Sequence, residues 1–298
     1  LDPRSPLVRL LIAALILWVG VPITKADDKV PYRHYTVQDG LPHGAIRTLA
    51  QGPDGRLWIG TRGGLSVYDG HDFRSGMLPD SLSSAEVWRI HVTSSGTTWS
   101  ALKGEGIVGL RRGRVTQVLP WPEGGTNGVS RLLSRRDTLF IVATRALWVH
   151  PPGADSVQKY PYDYPIKTGA LAEATPSVGE GVRDADLAPD GTLWVVDGNQ
   201  GPGRLSLDGS VSFVDSSFVL GSGKQWNGLR FRASGDALLF GTTGVHRLDL
   251  PDGPRAKVIA RGFGNGYVYG GTFYGTREGH VVQWTPAATR TFDRRQGL

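Results

Sequence analysis

Apolar and polar positions alternate with a period of two along most of this chain, in short runs punctuated by Gly, Asp and Thr. Asp54-Gly-Arg-Leu-Trp-Ile-Gly-Thr61 leads through Arg62-Gly-Gly64 into Leu65-Ser-Val-Tyr68 and ends on Asp69-Gly70. Two further stretches begin in the same way, Asp190-Gly-Thr-Leu-Trp-Val-Val196 and Gly235-Asp-Ala-Leu-Leu-Phe-Gly-Thr242. Weaker copies start at Ser95, Asp137 and Phe273, which makes six. The anchor positions Trp58, Trp99, Phe140, Trp194, Leu239 and Phe273 lie 41, 41, 54, 45 and 34 residues apart. A period of this size built from turns and strands predicts the blades of a β-propeller, because helical repeats would carry a 3.6-residue pattern.

Within the first unit, Ala45 to Gln51 is expected to be the innermost strand, Arg56 to Thr61 the second, Leu65 to Tyr68 the third, with the fourth near Phe73. The Asp-Gly pairs suit tight hairpins, since both residues tolerate positive φ. Trp58, Trp99 and Trp194 recur with the repeat, so they are expected between blades and not at a ligand. Tyr32 to Val37, followed by Gln38-Asp-Gly-Leu41, reads as an outer strand leading into a blade, and Thr291 to Gln296 repeats that boundary before Gly297. The expected fold is therefore an all-β propeller of four-stranded blades, six of them visible, in an incomplete seven-bladed ring, with a six-bladed closure as the alternative. In a seven-bladed ring the inner strands of the seventh blade would pair with Tyr32 to Val37.

Composition supports strands and turns: 42 Gly and 19 Pro among 298 residues, with 20% charged and 39% hydrophobic. The apolar run Leu10 to Ile23, preceded by Arg4 and Arg9 and followed by Thr24-Lys-Ala26, predicts a signal peptide over residues 1–26 and the propeller over residues 27–298. An uncleaved anchor is the alternative, although a bilayer core asks for about 20 apolar residues; either reading exports the remainder to the periplasm or the cell exterior. The absence of Cys removes disulfides, thiolate metal sites and Cys nucleophiles. The formal net charge of +6 is scattered except at Arg111-Arg-Gly-Arg114, which falls in a predicted hairpin and reads as a solvated turn, so no nucleic-acid partner is expected.

Gly40-Leu-Pro42, then Ile46, Leu49, Gln51, Asp54-Gly55, Leu57-Trp-Ile-Gly-Thr61, Gly64-Leu65 and Tyr68-Asp-Gly70, resembles the two-component regulator propeller repeat. The first blade carries the resemblance most fully; Ser100-Ala-Leu102 and Val195-Val-Asp197 depart from it where Ile-Gly-Thr is expected. It implies an extracytoplasmic sensor propeller, with a kinase or other output module elsewhere in the signalling protein. It further implies contact with downstream domains or a second propeller, and a homodimeric receptor.

The corners between second and third strands and the connections between blades vary in length and chemistry, as recognition loops do. From them Arg62, Lys103, Glu105, Trp121, Tyr162, Tyr164, Trp226 and Arg277 are the candidate binding residues for a small polar or carbohydrate-like ligand. No catalytic residue, metal site or cofactor is expected: the seven His lack helical or hairpin metal spacing, and His43 is the one best placed to act. A secreted propeller lyase or hydrolase and a passive interaction platform are the rival readings.

Overall fold

The computed structural model describes residues 33–121, 128–163, 181–198, 200–214, 226–241, 244–249, 255–260, 266–269, 272–277, 280–285 and 289–292. The signal-peptide segment therefore lies outside the described residues. Six antiparallel four-stranded sheets follow one another along the chain, each with its strands in sequence order from the inner to the outer edge. They span residues 46–75, 87–119, 129–161, 182–213, 226–260 and 266–292 and are blades 1 to 6 of a β-propeller. Consecutive blades meet at their innermost strands.

The first blade falls where the pattern puts it: Ile46–Gln51, Leu57–Thr61, Gly64–Tyr68 and Phe73–Ser75. Its first turn is closed by Gly52 N–H donating to the Arg56 carbonyl at 2.8 Å and Gly55 N–H to the Gly52 carbonyl at 3.0 Å. Thr93 to Thr97, Ala188 to Thr192 and Arg232 to Asp236 repeat this pair of bonds in blades 2, 4 and 5. The third turn residue is Gly55, Gly96, Gly191 or Gly235, with φ between 81° and 89°, a left-handed conformation that other residues adopt only at a cost.

Counted from that glycine, the third residue onward is Trp58, Trp99 and Trp194, and each ring is buried against the inner strand of the following blade. Trp58 packs with Val87 and Ile90, Trp99 with Val129 and Leu132, and Trp194 with Trp226 and Leu229. Trp99 lies so close over Gly109 on the neighbouring strand that a Cβ there would stand 2.8 Å from the ring. Phe140 fills the same role toward blade 4.

Two of the six anchors are corrected. In blade 5 the residue at the tryptophan position is Leu238, which packs toward blade 6, whereas Leu239 faces back to blade 4. Phe273 likewise packs on Leu238 and Phe240 of the preceding blade. Strand alternation explains both: the Gly-Thr pair after Leu239 aligns with Gly60-Thr61 one residue out of register with the turn, and one residue reverses the face.

The predicted outer strand before blade 1 is also corrected over its described part. Residues 33–36 join no sheet, and Val37–Asp39 form one turn of 3-10 helix. Thr36 Oγ1 accepts from Gln38 N–H at 3.2 Å while Asp39 Oδ2 accepts from Thr36 N–H at 2.7 Å, a capping box that takes the donors a ladder would need. Tyr35 stacks instead on Tyr68 and Phe73, with ring centroids at 5.2 and 5.1 Å.

Blade 1 differs from blades 2 to 5 on the face turned away from blade 2. Ile46 and Leu49 occupy the positions of the buried pairs Val87/Ile90, Val129/Leu132, Val182/Ala185 and Trp226/Leu229, yet they are 43% and 57% exposed. Truncating equivalent leucines should therefore have unequal effects. Leu229→Ala is expected to cost about 2–5 kcal/mol in urea unfolding, and Leu49→Ala within about 0.5 kcal/mol; equal losses would mean that the Leu49 face is covered in solution.

Candidate functional site

The first strand of each of blades 1 to 5 carries one extra residue relative to its partner strand. Pairing skips Arg47, Trp88, Ser130, Arg183 and Asn227, always one residue into the strand, at the end where the second-to-third-strand corners lie. A β-bulge bends the strand and re-aims its side chains. Five copies at one level ring the channel mouth with Arg, Trp, Ser, Arg and Asn.

Several of these side chains reach the next blade. Arg47 Nε donates to Glu86 Oε1 at 2.7 Å. Ser130 Oγ donates to the Val182 carbonyl at 2.7 Å, and Arg183 Nη1 to Asn227 Oδ1 at 3.2 Å. The innermost strand is also the inner edge of its sheet, so its outward N–H and C=O groups have no ladder partner. Side chains of the preceding blade take that role. Arg89 Nε donates to the Ser130 carbonyl at 3.0 Å; Asp184 Oδ2 accepts from Leu229 N–H at 3.2 Å, and Asp186 Oδ2 from Phe231 N–H at 2.9 Å. His91 Nε2 and Ser134 Oγ lie 2.8 Å apart at the lowest rung.

These rungs are charged and mostly buried. Arg230 Nη1 donates to Asp184 Oδ2 at 2.5 Å, with the two residues 8% and 6% exposed. Burial lowers the Arg89 guanidinium below its ordinary value, with the carboxylate of Asp184 opposing that shift. Burial also raises the Asp186 carboxyl, against the nearby cations Arg230 and Arg131. The His91 imidazole is pushed down to about 4 by burial and, less strongly, by Arg131, so it is neutral near pH 7. Arg47, Arg89, Arg131, Arg183 and Arg230 on these strands face Glu86, Asp184 and Asp186, with Arg47 paired to Glu86 and Arg230 to Asp184.

The predicted binding residues distribute unevenly around this mouth. Arg62, Lys103 and Glu105 are exposed at corners as expected. Lys103 Nζ stands 3.4 Å from Glu86 Oε2 and 5.5 Å from the centroid of the half-buried Trp88 ring. Trp121 is half-buried, its Nε1 donating to the Leu102 carbonyl at 3.0 Å and its ring 5.9 Å from Trp148. Tyr162 packs at the margin of the core between blades 3 and 4. Trp226 is corrected from a ligand contact to a core residue: it is 0% exposed, edge-on to His246, at the position that the buried Val87, Val129 and Val182 hold in blades 2 to 4. Tyr164 lies outside the described residues, and only the backbone of Arg277 is described. His43 Nδ1 accepts from Ala45 N–H at 2.8 Å and caps the turn into the first strand. Trp88, Arg89, Arg183 and Asp184 escaped the strand pattern; the bulge shows there only as an i, i+3 spacing of the apolar pair in place of strict alternation.

Two consequences of the girdle are measurable. Asp184→Ala strands a buried guanidinium and an N–H group, and is expected to cost about 3–5 kcal/mol in denaturant unfolding. For His91 the folded-state pKa lies below the unfolded value, so the unfolded chain takes the proton first. Its contribution is complete above about pH 6.5 and is lost as pH falls from there through about 4. Between pH 7.5 and 4.5 wild type should lose about 2–3 kcal/mol more stability than His91→Gln; parallel curves would show that His91 does not titrate in this window.

The family described as the two component regulator propeller matches residues 40–63, the approach to the first blade and its first two strands. Histidine kinase P4 of Formosa agariphila is 30% identical over 60 residues, 20% of this chain and 4% of that protein. The extracellular domain of the hybrid two component system BT3049 from B. thetaiotaomicron superposes with a TM-score of 0.63 at 14% identity, over 85% of this chain and 35% of that one. Virginiamycin B lyase from Staphylococcus aureus superposes with a TM-score of 0.62 at 14% identity, over 83% of this chain and 84% of the lyase. The chain thus spans about a third of the BT3049 domain, and identities at this level speak for the fold. Among the described residues no helix is long and apolar enough to cross a membrane. The chain is a β-propeller whose residues 40–63, in the first blade and its approach, match the two component regulator propeller repeat.

Proposed function

We propose that this propeller is an exported sensing module of a two-component signalling protein and that it reads a small polar, carbohydrate-like ligand at the corner-face mouth of its channel. The repeat in the first blade and the likeness to extracellular two-component domains support the signalling role. The row of bulges supports the site: it sets a half-buried indole, Trp88, beside Lys103, Glu86 and Arg47 at the seam of blades 1 and 2. An aromatic face bordered by fixed charges accepts the apolar side of a sugar ring while hydrogen-bonding its hydroxyls. The same side chains tie consecutive blades, so a bound ligand would stiffen the seam and pass a change in rigidity to neighbouring domains, a second propeller or a receptor partner.

Calorimetry of the chain against a panel of neutral oligosaccharides tests this reading. At least one member should bind, and Trp88→Ala should weaken that binding about tenfold or more, equivalent to roughly 1.4 kcal/mol. A panel without binders, or a Trp88→Ala chain that binds as wild type does, would remove the channel mouth as the sensing site.

A further inference from the structure

On the opposite face, the hairpin turns of blades 1 and 2 frame a groove of 740 Å3. Met77 and Val92 contribute to an apolar floor, and Arg56, Arg74, Arg111 and Arg112 stand along it. Arg56 and Arg74 are partly neutralised, at 3.5 Å from Asp54 and 3.1 Å from Asp69. Arg111, Arg112 and the adjoining Arg114 have no carboxylate partner among the described residues. Arg111 also borders two further depressions. One continues along Arg114 and Thr116, and the other, of 280 Å3, runs past Thr97, Gln117 and His150 to blade 3.

The hairpin that carries these arginines sets one of them in a left-handed backbone position, as the Arg136-Asp137 turn of blade 3 also does. Arg114 pairs with Arg111 across a two-residue turn of Arg112-Gly113, and Arg112 holds a φ of 52°. Asn, Asp or Gly occupies such a position at lower backbone cost. A turn needed only for chain reversal and solubility would be better served by Asn-Gly. The chain instead keeps a guanidinium at the tip, between two more on the flanking strands.

We infer that this strip is a second binding site, independent of the channel mouth, and that it takes an oligosaccharide carrying carboxylate or sulfate groups. Unpaired guanidinium groups bind planar carboxylates and sulfates in bidentate fashion. Thr97 and Thr116 continue the strip with hydroxyl groups, the latter donating to the Gly109 carbonyl at 3.1 Å, while the Gln117 amide beside them is held by the Ala154 carbonyl and His150. An open groove of this volume accommodates a short stretch of polymer, not an enclosed small molecule.

The test uses the full chain with a galacturonic acid hexamer as the probe, and its methyl ester, a sulfated oligosaccharide and poly-glutamate as comparators. The variant Arg111→Gln/Arg112→Gly/Arg114→Gln keeps the hairpin, because glycine relieves the positive φ at the tip; its Tm should equal or exceed that of wild type. The hexamer should bind wild type with an affinity that falls as salt rises. The methyl ester should bind at least about tenfold more weakly, and the triple variant should lose a similar factor. Sulfated oligomers binding at the same arginines would identify sulfate as the source of the anion. Equal binding by the triple variant, or failure of both acidic sugars, overturns the site; poly-glutamate binding as tightly as the hexamer overturns the sugar class in favour of an acidic peptide. Trp88→Ala, on the other face, should leave hexamer binding unchanged, which keeps this outcome separate from that of the channel-mouth experiment.

Discussion

The contact on which the ring depends is one large side chain from the second strand of a blade, set into the inner strand of the next. Trp58, Trp99, Phe140 and Trp194 each make it, and in blade 5 Leu238 holds the equivalent position and packs with Phe273 of blade 6. A buried ring of this size contributes on the order of 3–5 kcal/mol, judged by the cost of truncating Phe or Trp. A blade alone is a small twisted sheet with two apolar faces and cannot cover either of them. Stability therefore resides at the seams, and the chain has no disulfide with which to supplement them.

That dependence also explains how much of the fold was legible. Tryptophan after Gly-x-Leu or Gly-Thr-Thr marks a seam directly, so the blade count, the strands of blade 1 and the inter-blade burial of three tryptophans all follow from the repeat. Where tryptophan gives way to leucine, the repeat loses its landmark. Aligning Gly241-Thr242 with Gly60-Thr61 then selects Leu239, although the first turn fixes Leu238 as the anchor. Residues 33–36 failed as a strand for a related reason. Their pattern alternates adequately, but strand formation needs a partner edge, and the capping box of Thr36 and Asp39 needs only local donors.

The candidate site was harder to read because its logic is long-range. Arg89, His91, Asp184 and Asp186 alternate with apolar residues as the solvated side of any strand would. Their role follows from the neighbouring inner edge: Arg89, Asp184 and Asp186 satisfy its carbonyl and amide groups 41 to 45 residues away in sequence, and His91 meets the Ser134 hydroxyl 43 residues away. Corners, by contrast, were found readily, but exposure there proves uninformative: Arg62 and Glu105 are merely exposed, while Trp226 belongs to the core. Lys103 is the predicted residue that joins the bulge row, through Glu86 and the Trp88 ring.

The two faces of the ring consequently differ in what a substitution there can do. At the channel mouth, the recognition we propose would share side chains with inter-blade cohesion: Arg47, Ser130 and Arg183 are the surface a ligand would meet and also the bonds that close a seam. A ligand that competes for those bonds loosens the ring, and one that adds to them tightens it, so occupancy and mechanical state are coupled without any hinge. On the turn face, the first-turn geometry is set by backbone hydrogen bonds and glycine. Arg111, Arg112 and Arg114 hold no seam together, which leaves that surface open to change in charge and specificity while the fold is retained. Signalling chemistry is thus physically better suited to the mouth, and attachment chemistry to the turns.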